Sequence, residues 1–415
     1  MSSSRVVVIG GGVIGACCAL YLRRAGCDVV LLDRAGFGRA CSHGNCGYVC
    51  PSHVLPLAEP GAAWNAFRAL FKSNSPFYIR PRLDWKLWTW LLRFAGRCNS
   101  RDMLQAATAL APLLKLSMDE YEALKASGLS CEWENSGLLF VYSTQHEFEH
   151  YAETDRLLRE KYNTSADRWS REELLAREPA LNEKVAGAWM YPADVQLRPD
   201  LLMQSLRAMM EKEGVVIEEN TPVEKFENSG EKTVAVISGT RRFAADSFVL
   251  AAGAWSPQFE KDLGIRLPIQ PGKGYSLTYA RPERAPTRPM IFHERRVACS
   301  TFHKGFRLGS TMEFSGYDES LNQKRMSILT SAAREYLREP LEGKVQEEWF
   351  GWRPMTYDSL PIIGPSQRLK NVHIAAGHSM LGVTLAPATG RLIADQICGR
   401  KPSVDPRPYL AQRFG

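Results

Sequence analysis

Three glycines stand at Gly10, Gly12 and Gly15 directly after the β-branched run Arg5–Gly10, and Asp33 follows 18 residues after the last of them. In this spacing the first glycine permits a tight turn. The second lets the backbone approach a pyrophosphate, and the third lets a helix pack close to a strand. The helix that starts here offers free N–H groups and the positive end of its dipole to an anion. Asp33 suits ribose hydroxyls and disfavours a 2′-phosphate, so NADP is not expected. A purely structural glycine turn would explain the glycines alone, but not the strand, helix and acid in register with them. FAD and NAD both fit the fingerprint.

Other reactive side chains are less organised. Cys41, Cys46 and Cys50 lie near His43 and His53, but their spacing matches no established zinc pattern, and no CxxC pair occurs among the ten cysteines. No metal is expected. The GxSxG, Walker and HExxH signatures are absent. Within residues 62–98, seven basic residues (Arg68, Lys72, Arg80, Arg82, Lys86, Arg93 and Arg97) face one acid, Asp84. Among them lie Trp64, Phe67, Phe71, Phe77, Tyr78, Trp85, Trp88, Trp90 and Phe94. Cations mixed with indoles suit a membrane surface. The competing reading makes these aromatics the core face of helices, with Arg and Lys stems lying over them. No nucleic-acid motif accompanies the patch.

The elements that must position these residues follow from periodicity. Arg5–Gly10, a helix over Val13–Ala25 closed by Gly26, and Val29–Asp33 make a βαβ unit, hence a parallel sheet. Helices are predicted over Ser100–Gly128, His146–Tyr162, Pro199–Glu213, Asn322–Glu339 and Leu385–Cys398. Strands are predicted at Gly137–Tyr142 and Val215–Glu218, with Thr233–Thr240 and Arg241–Leu250 as a pair. The stretch Leu267–Thr311 alternates as antiparallel strands do. Parallel elements come from both ends and the middle, so the fold class is α/β (α+β overall) with interleaved domains. The dinucleotide domain is expected over 1–80, 195–262 and 350–415, and a substrate domain on an antiparallel sheet over 81–194 and 263–349. With 415 residues, 45% hydrophobic and 23% charged, the chain is globular. Val6–Leu22 is too interrupted by glycines to be a leader, and no run is long enough to span a bilayer.

The motifs RVVVIGGGVIG, SHGNCGYVCP, NTPVEKF, FVLAAGAWSP, PGKGYSL, GWRPMTYDSLPIIG and GHSMLGVTLAPATG together resemble the D-amino-acid oxidase superfamily of flavoproteins over essentially the full length. The nearest likeness is to its bacterial D-amino-acid dehydrogenase branch. The resemblance implies extended, noncovalent FAD. It places Gly12, Val13 and Ile14 over the pyrophosphate, Asp33 and Arg34 beside the adenosine ribose, and Val223 at adenine. Ser42, Asn45, Gly47 and Tyr48 fall along the ribityl chain and ring. Gly253 falls near the pyrophosphate. Gly382, Val383 and Thr384 precede the last helix, whose positive end would face the flavin N1–C2=O edge. Arg353 matches the residue that clamps the substrate carboxylate with its planar fork. Its competing role is a structural pair with Asp358. Tyr275 is either a pocket residue orienting the substrate or an ordinary strand aromatic. His378 and Tyr48 are further candidates for the flavin face.

The chemistry so implied is hydride transfer from Cα of a D-amino acid to flavin N5, with hydrolysis of the imine to a 2-oxo acid and ammonia. Electrons would leave to a quinone. The expected setting is cytoplasmic, peripheral on the inner face of the cell membrane through residues 62–98. A narrower amine oxidase of the same superfamily, an NAD enzyme and a noncatalytic flavin-binding subunit are the alternatives.

Overall fold

The computed structural model describes residues 3–69, 75–339 and 343–415. Phe71 and Lys72 of the basic segment lie outside them. A six-stranded sheet forms the first layer, with strands in the spatial order Ile362–Pro365, Val372–Ala376, Ser247–Leu250, Arg5–Ile9, Asp28–Leu32 and Val216–Glu218. All its pairings are parallel except that of the edge strand Ile362–Pro365. The central strands are buried on both faces, as continuous Val, Ile and Leu runs require. The helices Val13–Arg24 and Gly382–Ile397 pack side by side in the core that lies on this sheet.

The second body is a nine-stranded mixed sheet. Its long strands Ile269–Ala280, Gly305–Phe314 and Val345–Thr356 lie together, flanked by Val297–Thr301, Met290–Phe292, Leu138–Tyr142, Gly187–Tyr191 and Asp167–Ser170. The strand Phe77–Ile79 joins it against Met312–Phe314. A boundary at 350 therefore cuts through one strand, and a boundary at 80 leaves a short strand of this sheet on the other side. Two small antiparallel sheets complete the described residues: Lys225–Ser229, Lys232–Ser238 and Arg241–Ala244 in that order, and a two-stranded ribbon of Tyr48–Val49 against Val195–Gln196.

Two predicted elements change. The run Arg241–Leu250 is two strands in two sheets. Arg241–Ala244 pairs with Lys232–Ser238, and Ser247–Leu250 enters the parallel sheet. Between them Asp246 turns the chain, its carboxylate accepting the N–H of Arg5 at 2.8 Å. The last helix starts at Gly382, three residues earlier than predicted, so Gly382, Val383 and Thr384 form its first turn.

Candidate active site

The glycine turn behaves as its spacing demands. Gly10 sits at φ +112°, and a Cβ there would lie 2.5 Å from the Ala251 carbonyl oxygen; a Cβ on Gly15 would lie 1.8 Å from that of Gly10. The helix Val13–Arg24 has no side-chain cap from Gly12, so apart from Val13 its first-turn N–H groups are open to an anion. The Val13 N–H is satisfied by Ser42 Oγ at 3.0 Å. Asp33, at the end of the second strand, accepts from Gly11 N at 2.5 Å and Ala35 N at 2.8 Å. Burial pushes its carboxyl upward, and those two N–H groups pull the other way. Arg34 lies over the Trp255 ring, 4.5 Å from its centre. Thr221 N donates to Asp33 O, which brings Val223 to the same end of the site. Gly253 opens a short 3₁₀ helix at φ +54°.

The segment from Ser42 to Tyr48 runs between the two bodies. Asn45 Nδ2 donates to Ser42 O, and Asn45 Oδ1 accepts from Gly47 N at 2.7 Å. Gly47 is obligatory, because a Cβ there would be 1.8 Å from Leu197 O. A residue that the sequence did not flag holds this segment from the large sheet. Arg307 donates to the carbonyls of His43 and Asn45, to Glu347 and to Thr278 Oγ1. Ser300 Oγ donates to Cys46 O. On the other side, Thr384 Oγ1 donates to Tyr48 O and accepts from Cys50 N, tying the segment to the first turn of the last helix.

These elements enclose one cavity of about 1730 Å³. Gly10, Gly12, Val13, Ile14, Asp33 and Arg34 line one part, together with Val223 and Gly253. Ser42, Asn45, Gly47, Tyr48, Tyr275 and Arg353 line another, with His378, Gly382, Val383 and Thr384. Gly15 stands behind the turn rather than on the wall. Arg353 Nη1 donates to Thr311 O at 2.8 Å, and among the described residues no carboxylate pairs with it. Asp358 instead binds Arg413 at 2.7 Å, which removes the structural pair considered for Arg353. Burial draws the arginine's pKa below its ordinary value, with the Cys41 and Cys46 thiols acting in the opposite direction. Room for the guanidinium comes from Gly274, where a Cβ would stand 2.2 Å from Nη1.

The neighbours differ in what they offer. Tyr275 faces the cavity, but its hydroxyl donates to Glu313 at 3.1 Å. The Tyr48 hydroxyl is engaged with the carbonyls of Met290 and Cys299, leaving its ring as wall. His378 Nε2 meets Thr389 Oγ1 at 2.9 Å, and burial lowers its pKa to about 3, so it is neutral. Its Nδ1, Ser379 Oγ, Thr311 Oγ1 and Trp352 Nε1 are buried on cavity-wall residues without a partner among the described residues. Such orphaned groups are expected where a polar ligand belongs.

The basic, aromatic segment divides. Trp90 and Phe94 stack on each other, with Trp90 also against Phe314, in the core. Trp64 (62% exposed), Trp85 (81%) and Leu92 (73%) stand in solvent with Phe67 and Trp88, on the helices Ala62–Ala69 and Trp85–Arg97. Arg80, Lys86 and Arg97 pair with Asp318, Glu260 and Asp102 from outside the segment, which makes this face less cationic than its residue count. Phe67 and Trp88 also line the cavity.

Comparisons with known proteins agree with this geometry. Residues 5–396 match the DAO family, described as FAD dependent oxidoreductase. The D-amino acid dehydrogenase of Granulibacter bethesdensis is 32% identical over 417 residues, covering 99% of both chains. That of Xylella fastidiosa is 34% identical, covering 95% of this chain and 92% of its own. Among solved structures, glycine oxidase from Geobacillus kaustophilus superposes with a TM-score of 0.77 at 21% identity, covering 99% of each chain. L-proline dehydrogenase from P. horikoshii gives 0.75 at 20% identity, covering 100% of this chain and 98% of its own. These two likenesses speak to the fold.

Proposed function

The chain belongs to the DAO family of FAD-dependent oxidoreductases, and from that premise we propose that it oxidises D-amino acids to 2-oxo acids and ammonia and passes the electrons to a quinone. The observation that carries this reading is Arg353, a partly buried guanidinium with no acid against it among the described residues, facing a cavity that the glycine turn also lines. A buried cation left unpaired is unfavourable, and a substrate carboxylate is the anion that would complete it.

The residues fit FAD. The helix start after Gly12, with Ser42 Oγ on Val13 N, suits the pyrophosphate, Asp33 and Arg34 the ribose, Val223 the adenine, and the Ser42–Tyr48 segment the ribityl chain. The first turn of the last helix, with the orphaned His378 Nδ1 and Ser379 Oγ, suits the polar edge of the ring. When bound, FAD supplies the two-electron acceptor for the Cα hydride. Attachment is noncovalent in this reading, because no cysteine falls at a position matching the covalent linkage of some relatives.

The protein's own task is positional. Arg353 grips the carboxylate and fixes the direction of Cα–H, while Tyr275 and Trp352 shape the wall. The cavity wall, mostly apolar, would favour the neutral amine and align the reacting atoms. No side chain has to abstract a proton from carbon. The exposed Trp64, Phe67, Trp85 and Leu92 suit a lipid surface on the cytoplasmic side, and no helix among the described residues is long and apolar enough to cross a membrane. Because Phe67 and Trp88 also line the cavity, an apolar acceptor could approach from that face.

The test pairs D-amino acids with their carboxamides. The holoenzyme with a soluble quinone analogue is expected to form one 2-oxo acid and one ammonia per quinone reduced. The neutral amides should react at least ~100-fold more slowly, since they lack the charge Arg353 binds. Equal turnover of acid and amide would remove the carboxylate clamp from the account.

A further inference from the structure

We propose that Cys50, His53 and Asp194 form a binding site for a zinc ion on the cavity wall, separate from the groups assigned to flavin and substrate. The spacing of Cys41, Cys46 and Cys50 predicts no metal, and the structure does not gather those three. It brings in Asp194, 141 residues beyond His53, instead. The ribbon pairs Tyr48 with Gln196 and Val49 with Val195, so continuing the register sets Cys50 opposite Asp194. The turn Cys50-Pro51-Ser52-His53 closes with His53 N donating to Cys50 O, which folds the imidazole back over the thiol. The Cys50 sulfur, a His53 ring nitrogen and an Asp194 oxygen all lie within 4.8 Å of one another.

The donor set and its surroundings suit zinc. Thiolate, imidazole and carboxylate are the usual protein ligands of Zn²⁺, and three of them leave a fourth tetrahedral position for water. Ligand atoms around such an ion stand roughly 3.5 Å apart, so binding would draw this trio together by about 1 Å. The Asp194 carboxylate is fully buried and, among the described residues, no cation pairs with it. Ser52 N and Ser52 Oγ hold its two oxygens at 3.0 and 2.6 Å. That is the kind of outer hydrogen bonding that orients a carboxylate ligand. Each oxygen keeps a lone pair for a metal. Cys50, Ser52 and His53 line the cavity, which provides the route in and the water for the fourth position.

An ion here would staple the chain leaving the flavin-side segment to the chain entering Val195–Gln196. Holoenzyme dialysed against EDTA and then against micromolar ZnCl₂ should retain one zinc per chain. Its zinc X-ray absorption should show one sulfur at about 2.3 Å and nitrogen or oxygen at about 2.0–2.1 Å. The exposed pair His146 and His150 is a possible surface trap, so the background is H146Q/H150Q, which should bind equally. Cys50→Ser and His53→Gln, checked for retained FAD, should each weaken zinc binding at least tenfold and abolish the rise in Tm that zinc causes in the parent. His53 is at the cavity surface, so H53Q serves where C50S fails to fold. Absence of retained zinc, a spectrum without sulfur, or equal retention by C50S and H53Q would each overturn the proposal.

Discussion

Gly274→Ala is a sharp test of the carboxylate clamp because it leaves Arg353 in the sequence. The alanine Cβ would lie 2.2 Å from Nη1 and 2.5 Å from Cζ of Arg353, and the backbone at 274 is not in the left-handed region. The three nearest atoms all belong to the far end of the flexible Arg353 side chain. The strand should therefore hold and the guanidinium retreat by roughly 1.5 Å to ordinary contact distance. That shift breaks the 2.8 Å bond to Thr311 O and misaligns the fork toward a carboxylate. A misplacement of this size costs on the order of 10²-fold in rate, equivalent to about 2.7 kcal/mol of transition-state stabilisation. Outright loss in Arg353→Met would remove one partner of the proposed ion pair, and about 3–5 kcal/mol is expected, or roughly 10²- to 10⁴-fold in kcat/KM. The assay is anaerobic stopped-flow reduction of the flavin by a D-amino acid, with FAD content and Tm measured alongside. G274A should keep its FAD and Tm while losing most of its reduction rate per substrate concentration. An unchanged kcat/KM in a folded, FAD-loaded G274A would refute the reasoning, because it would mean that Arg353 does not hold substrate in this place.

Four further outcomes follow from the same geometry. Gly15→Ala should abolish FAD retention, since its Cβ would stand 1.8 Å from Gly10 O; flavin absorbance after gel filtration reads this. Acid precipitation should release all flavin into the supernatant, as noncovalent attachment requires. Burial lowers the pKa of His373 to about 4 and of His378 to about 3, below the ordinary histidine value. The unfolded chain therefore binds more protons below pH 6.5, and stability falls as pH drops from there toward the folded values. Each histidine contributes about 2 kcal/mol between pH 6.5 and 5, visible as a urea midpoint that shifts less with pH in His373→Val. Replacing Trp64, Trp85 and Leu92 together by Ser should reduce sedimentation with anionic liposomes several-fold, whereas R80Q/R82Q/K86Q should have a smaller effect, because acids already pair with those cations.

The parts of the fold written in local pattern were legible. The βαβ opening has a strand run, three glycines and an acid within 33 residues, so propensity, turn chemistry and spacing agree. The last helix begins at Gly382, a residue that disfavours helix interiors but is tolerated in a first turn. Arg241–Leu250 reads as one strand only if the polar pair Asp246-Ser247 between its two apolar runs is passed over; in the structure Asp246 binds Arg5 N and the chain turns there. In the site, the glycine turn, Asp33 and Arg353 were visible because each sits in a compact motif. Arg307, Glu313 and Glu347 were not. Their partners lie 29 to 264 residues away, and nothing near them in sequence records the contact. The same limit hid Asp194 from Cys50 and His53.

The central claim, a flavin reduced by D-amino acids held on Arg353, is tested most directly by anaerobic titration of the purified holoenzyme under visible light absorption. The account predicts rapid bleaching of the flavin bands by several D-amino acids, no bleaching by their L enantiomers, and loss of the response in Arg353→Met. Bound flavin that no D-amino acid reduces, or bleaching that survives in R353M, would contradict it.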